Sequence, residues 1–104
     1  MSGSQILTFY MELRSKYPTE YDFDNESALN EIGYSLMGGK IQDAITIFEY
    51  NTQLFPKSGN VYDSLGEAYY KAGDKQKALF NYKKSFQLDP SNTNAKRIIA
   101  ELER

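Results

Sequence analysis

The chain has 104 residues, 40% of them hydrophobic and 25% charged, with a formal net charge of -2. That length suits one domain with a thin core, and an acidic balance is a poor match for a phosphate backbone. The absence of Cys, His and Trp removes disulfides, thiolate nucleophiles, sulfur-held zinc and imidazole proton transfer, so neither catalysis nor a metal or other cofactor is expected.

The opening Met1-Ser2-Gly3-Ser4 lacks the basic-then-apolar order of a signal peptide and reads as a cloning remnant joined to a fragment of something longer. No apolar run approaches the ~20 residues of a membrane span. Apolar residues recur at helical spacing almost throughout, without sustained strand-like alternation. The first predicted helix covers 5–17, with Ile6, Tyr10, Leu13 and Tyr17 on one stripe, and Pro18 ends it because the residue before a proline is pushed out of helical geometry. Residues 19–24 read as a loop. A second helix starts after Asp24 or Asn25, either of which can cap free amides. It carries Leu29, Ile32, Gly33 and Leu36, and stops at Gly38-Gly39. The third spans 40–54, with Ile41, Ala44, Ile45 and Phe48, and ends before Pro56. Ser58 caps a fourth helix presenting Tyr62, Leu65, Gly66 and Tyr69. Gly73 stops it and Asp74 caps a fifth, with Ala78, Leu79, Tyr82 and Phe86. After Pro90, Ser91 opens a last helix with Ala95, Ile98, Ile99 and Leu102 on one face.

Two of these segments look alike. Residues 30–56 read NEIGYSLMGGKIQDAITIFEYNTQLFP, and residues 63–90 read DSLGEAYYKAGDKQKALFNYKKSFQLDP. Gly33 matches Gly66, Ala44 matches Ala78, Phe48 matches Tyr82, and Pro56 matches Pro90. The offset is 33 residues in the first helix and 34 in the second, so the first unit lacks one residue in its inter-helix turn. Small residues at Gly66 and Ala78 allow two helices to approach at the short end of the usual spacing. The glycine weakens its helix by about 1 kcal/mol, which calls for a packing reason.

A helix-turn-helix period near 34 resembles the tetratricopeptide repeat. The second unit carries the pattern in Tyr62, Leu65-Gly66, Tyr69, Ala78, Tyr82 and Pro90, with Ser85 where a small Ala is usual. The first is weaker, with Leu29, Ile32-Gly33, Leu36, Ala44, Phe48 and Pro56. The resemblance implies an all-α fold: a right-handed superhelix of two repeats (25–56 and 58–90), with an N-terminal helix and a C-terminal capping helix at 91–103, in one domain over 1–104. Two repeats are fewer than the three usually needed for a stable stack, so the terminal helices are expected to supply the missing burial.

Other motifs have plainer explanations. Gly33 to Lys40 lacks the Gly-Lys-Ser/Thr of a phosphate loop and reads as a helix stop. The acidic cluster Asp22-Phe23-Asp24-Asn25-Glu26 lacks the glycine and distal glutamate of a calcium loop and reads as helix capping. Asn25-Glu26-Ser27 fits a glycosylation sequon, which matters only in a secretory pathway. Lysines 71, 75, 77, 83 and 84 read as a solvated face, and the aromatics at 62, 69, 82 and 86 as core. Asp63 and Glu67 lie at i and i+4 on one face without a deep pocket, so an acid–base pair is not expected.

Tetratricopeptide domains bind proteins or peptides on a concave face lined by the first helix of each pair. Carried over, that face would hold Asn30, Tyr34 and Met37 from the first repeat. From the second it would hold Asn60, Asp63, Glu67, Tyr70 and Lys71. With Asp63 and Glu67 where the family's carboxylate clamps place Lys, Arg and Asn, a neutral or basic segment is expected and an anionic peptide end is not. Neither nucleic acid nor membrane is an expected partner. Residues 60–68 also resemble the tetratricopeptide tails of larger bacterial proteins, among them extracytoplasmic esterases and beta-lactamase-like hydrolases. That resemblance implies an alternative: a structural module that packs on its own parent domain or orders a homodimer, in bacterial cytoplasm or periplasm.

Overall fold

The computed structural model describes residues 2–18 and 25–104, and every regular element among them is helical. Six helices follow in order: α1 (Gly3–Lys16), α2 (Ser27–Leu36), α3 (Ile41–Leu54), α4 (Gly59–Lys71), α5 (Lys75–Leu88) and α6 (Thr93–Leu102). The loop expected over 19–24, with Asp22, Phe23 and Asp24 of the acidic cluster, lies outside the described residues. Each helix packs on its successor from α2 onward, and α1 packs on α3, giving an elongated body of 48 × 28 × 16 Å.

The two hairpins, α2–α3 and α4–α5, close on the small residues that the sequence pairs with aromatics. A Cβ built on Gly33 would stand 2.5 Å from Phe48 Cζ, and one on Gly66 would stand 3.0 Å from Tyr82 Cδ2. The glycines are therefore where the rings of α3 and α5 lie against α2 and α4. Ala44, Phe48 and Ala78 are fully buried and Tyr82 nearly so. They join Leu65, Tyr69 and Ala95 in one core running through both hairpins to α6.

The one-residue difference between the repeats is visible in the backbone. In α4–α5 the chain turns through Gly73 at φ 86°, and the Asp74 amide reaches back to the Tyr69 carbonyl at 3.0 Å, the six-residue closure that a left-handed glycine permits. In α2–α3 the Lys40 amide donates to the Leu36 carbonyl at 2.8 Å. That closure is one residue shorter and contains no left-handed glycine.

α1 covers the outer end of the first hairpin through a second core, in which Leu7 and Tyr10 meet Leu29 and Ile47. The stripe differs from the one expected: Leu7 is buried whereas Tyr17 is 43% exposed. Tyr17 is the residue at which the helix ends, so its side chain leaves the packed face. Residues 2 and 3 take part in the fold. Ser2 and Gln5 form a reciprocal capping box that satisfies free amides of the first turn. The Gly3 amide donates to Asp43 Oδ1 at 2.8 Å, so the start of α1 is held by the start of α3.

Side-chain caps start α5 and α6, whereas α3 and α4 begin without one. Asp74 accepts from the Lys77 amide at 3.1 Å, as expected. Ser58 occupies the cap position of α4 but makes no side-chain bond there. Asn25 Oδ1 accepts from the Ser27 amide at 2.7 Å just ahead of α2. The last helix is capped by Asn92, which accepts from the Ala95 amide at 3.0 Å, and not by Ser91. Ser91 turns back onto Asp89, with its hydroxyl at 2.5 Å from Oδ1.

Candidate functional site

The first helices of the hairpins, α2 and α4, lie side by side and are joined by polar bonds at nearly constant spacing. Asn60 donates to Glu26 Oε1 at 3.0 Å, and Ser64 donates to Asn30 Oδ1 at 2.6 Å. The Tyr34 hydroxyl donates to Glu67 Oε2 at 2.8 Å. The partners are separated in sequence by 34, 34 and 33 residues. Residue 26, at the cap position of α2, continues into 30 and 34 on the helix at i, i+4 spacing, and 60, 64 and 67 form the matching stripe on α4. One repeat is thus bonded to the next at equivalent positions.

α6 continues the row. Asn92, ahead of α6, donates to Asp63 Oδ2 at 3.0 Å and to Ser85 Oγ at 3.0 Å. Ser85 in turn donates to the Gly59 carbonyl at 2.7 Å. Its hydroxyl is fully buried and links α4, α5 and the α6 cap. An alanine could make none of these bonds, which gives the departure from the usual residue at this position a physical cause. Burial raises the Asp63 carboxyl above its ordinary range, against the opposing effect of the Asn92 amide. Burial, with a contribution from the Glu67 carboxylate, pushes the Tyr34 hydroxyl up to about 12.

Between α4 and α6 the shared face opens into a hollow of about 310 Å³ lined by Glu67, Tyr70, Lys71, Tyr82, Asn94, Arg97 and Ile98. Tyr70 is 43% exposed there. Arg97 is turned along its own helix, to Glu101 Oε1 at 3.0 Å and Asn94 Oδ1 at 2.9 Å. A second hollow, of about 460 Å³, lies at the turn made by Phe55, Pro56, Lys57 and Ser58. It is larger but has only a turn of chain for its lining and no set of converging polar groups, so it is the weaker candidate.

The expected groove residues therefore divide. Glu67, Tyr70 and Lys71 come together at the α4–α6 hollow. Asn30, Tyr34, Asn60 and Asp63 lie on the same run of helices but are engaged in the bonds that hold one repeat to the next. Met37 is corrected: it is only 7% exposed and packs with Ala44, Ile45 and Phe48 in the core, because it follows the last turn of α2 where the chain folds over toward α3. Ser64, Asn92, Asn94 and Arg97 were not anticipated. The sequence signal available for Ser64 was its polar partner Asn30, 34 residues earlier at the repeat period.

Among the described residues no group of three or more His, Cys, Asp or Glu side chains could hold a metal ion, and no helix is long and apolar enough to cross a membrane. The fold is a tetratricopeptide-like helical repeat. Residues 59–92, which are α4, α5 and the turn into α6, match the tetratricopeptide repeat family model. The match covers about one third of the chain and speaks for the repeat, not for any hydrolase joined to it. No curated protein matches the chain. Repeats of this family generally mediate protein–protein interaction and are typically non-catalytic.

Proposed function

We propose that the face shared by α2, α4 and α6 binds a neutral or basic segment of another protein, anchored in the hollow between α4 and α6. The observation that carries this reading is the placement of the half-exposed Tyr70 ring beside the Glu67 carboxylate and the Ile98 side chain. A lysine or arginine side chain entering there would lay its aliphatic stem on Tyr70 and Ile98 and bring its charge to Glu67. Glu67 uses one oxygen for the Tyr34 hydroxyl, and that bond orients the carboxylate. A 310 Å³ hollow suits one long side chain, so the rest of the segment would lie along the polar row of α2 and α4.

The test is fluorescence anisotropy with a labelled lysine-containing peptide of Gly, Ser, Leu and Lys. Glu67→Gln and Tyr70→Ala are each expected to weaken binding about fivefold or more, in line with a partly desolvated charge or cation–π contact. The Glu67 effect should shrink as salt is added. Binding that neither substitution changes would remove the site. Asp63 is unsuitable for this test, because its bond to Asn92 makes it part of the α4–α6 junction.

A second reading, packing on a neighbouring domain or on another copy of the chain, draws on the outer surface of α1, where Phe9 is 55% and Met11 45% exposed. Sedimentation of the protein alone addresses the second copy: a monomer at all concentrations would dismiss a homodimer.

A further inference from the structure

Helix α5 carries a feature that the α2–α4–α6 face does not use. Phe80 is 69% exposed, the most exposed large hydrophobic side chain among the described residues. A lone exposed aromatic is ordinary on a soluble surface, so its surroundings decide what it means. At i-3, i+3 and i+4 on the helix surface stand Lys77, Lys83 and Lys84. Lys75 lies in the first turn, and no acidic residue occurs anywhere from 75 to 88.

This arrangement runs against what the helix alone would favour. The N-terminal end of a helix favours negative side chains, and here only the capping Asp74 supplies one, while the first turn itself carries Lys75 and Lys77. It also runs against the chain as a whole, which is acidic. Residues 1–56 hold eight acidic and three basic side chains, whereas residues 57–104 hold six acidic and nine basic ones. Charge is thus divided between the halves, and α5 concentrates the positive part around an apolar centre. The lysines are only loosely engaged. Lys77 lies over the Tyr69 ring at 5.4 Å and Lys84 over the Tyr62 ring at 5.9 Å. Lys83 meets Glu103 at 3.2 Å with both side chains about half exposed, and such a surface pair contributes little and yields readily.

We infer that the outer face of α5 is a second docking surface, for an acidic protein segment whose apolar side chain covers Phe80 and whose carboxylates meet Lys77, Lys83 and Lys84. Charge complementarity selects the partner, and the Phe80 ring supplies the contact that desolvates on binding. A protein segment fits better than a lipid surface or a nucleic acid. One phenylalanine on a helix whose apolar stripe is already in the core gives little to insert into a bilayer, and the rest of the chain is acidic.

The probe is a fluorescein-labelled peptide alternating Glu with Leu, titrated with the full chain. Saturable binding is expected, weakening steeply with added salt. Phe80→Ala should weaken it about tenfold, as expected for losing a buried aromatic contact, and Lys77→Gln with Lys83→Gln should weaken it further. Both positions are exposed, and an unchanged thermal melt verifies that the variants fold. Glu67→Gln, at the other face, should leave this binding unchanged, which separates the surface from the α4–α6 hollow. Absence of peptide binding, or binding indifferent to Phe80→Ala, overturns the inference. So does Phe80-dependent binding to phosphatidylserine vesicles or duplex DNA in preference to the peptide, or a Phe80-dependent oligomer of the protein alone in sedimentation.

Discussion

Asn92 holds Asp63 across the junction of α4 and α6: its side-chain amide donates to Asp63 Oδ2 at 3.0 Å while its own oxygen caps α6 by accepting from the Ala95 amide. The same amide also reaches Ser85 Oγ. One side chain therefore starts the last helix and fixes its position against both helices of the second repeat. α6 has little else to hold its first turn, since Ala95 is its one fully buried residue.

Asn92→Ala is expected to cost about 1–2 kcal/mol, combining a lost cap with a half-buried carboxylate left short of a donor. Ser91→Ala, at the position the sequence suggested for the cap, should cost much less, because Ser91 bonds only to Asp89. Urea midpoints of the two variants measure the difference, and amide exchange should show α6 opening ahead of α4 and α5 in Asn92→Ala. Equal midpoints would deny Asn92 its role.

Ser85→Ala restores the residue more usual in this repeat, yet it should destabilise this chain by about 1 kcal/mol. The hydroxyl is buried between the Gly59 carbonyl and the Asn92 amide, and its loss leaves an unpaired donor on Asn92. A double-mutant cycle with Asn92→Ala should show the two losses to be less than additive, since each removes the other's partner. Strict additivity would mean that the Ser85–Asn92 bond carries no energy.

These two residues mark the limit of what the sequence made legible. Helix positions, the hairpin glycines and their aromatic partners followed from periodicity and from the 33- and 34-residue offsets, because close packing leaves a repeating trace in residue size. The polar row did not follow. Asn30, Tyr34 and Asn60 have the composition of a ligand-facing surface, and nothing in residue type tells a side chain that waits for a partner from one already bonded to the neighbouring repeat. Met37 was misread for a related reason: its place in the repeat pattern points to the inner face, but the shortened turn after α2 folds it into the core. Tyr70 and Lys71, which do reach the hollow, belong to the longer repeat, where the turn has its full length.

The hairpin glycines should respond unequally to one added methyl. At Gly33 a Cβ would fall within 2.5 Å of Phe48 Cζ and 2.8 Å of Cδ1, against a fully buried ring. At Gly66 the nearest Tyr82 ring atoms are 3.0–3.2 Å away. Gly33→Ala is therefore expected to cost about 1–3 kcal/mol by overpacking, even after the gain in helix propensity. Gly66→Ala should lie closer to neutral, its propensity gain of about 1 kcal/mol offsetting a displacement of a few tenths of an ångström. Chemical denaturation of both variants tests the order, and a Gly66→Ala loss larger than that of Gly33→Ala would contradict the packing described.

Burial of the Tyr34 hydroxyl, together with its bond to the Glu67 carboxylate, should make stability fall on the alkaline side. The folded chain holds the Tyr34 hydroxyl protonated up to about 12, whereas the unfolded chain releases that proton near the ordinary value of about 10. The folded state thus binds the proton more tightly, so the contribution is fully present below pH 10 and is lost as pH rises toward 12. Tyr69, held by burial and by its bond to the Glu49 carboxylate, and Tyr82, held by burial, shift in the same direction. Tyr34→Phe should accordingly lower stability at pH 9, where the bond to Glu67 is lost, and flatten but not abolish the decline between pH 10 and 12. Urea midpoints at pH 9 and 11 for the parent and the variant give the two slopes. Parallel declines would mean that the Tyr34 proton is held no more tightly in the folded chain than in the unfolded one.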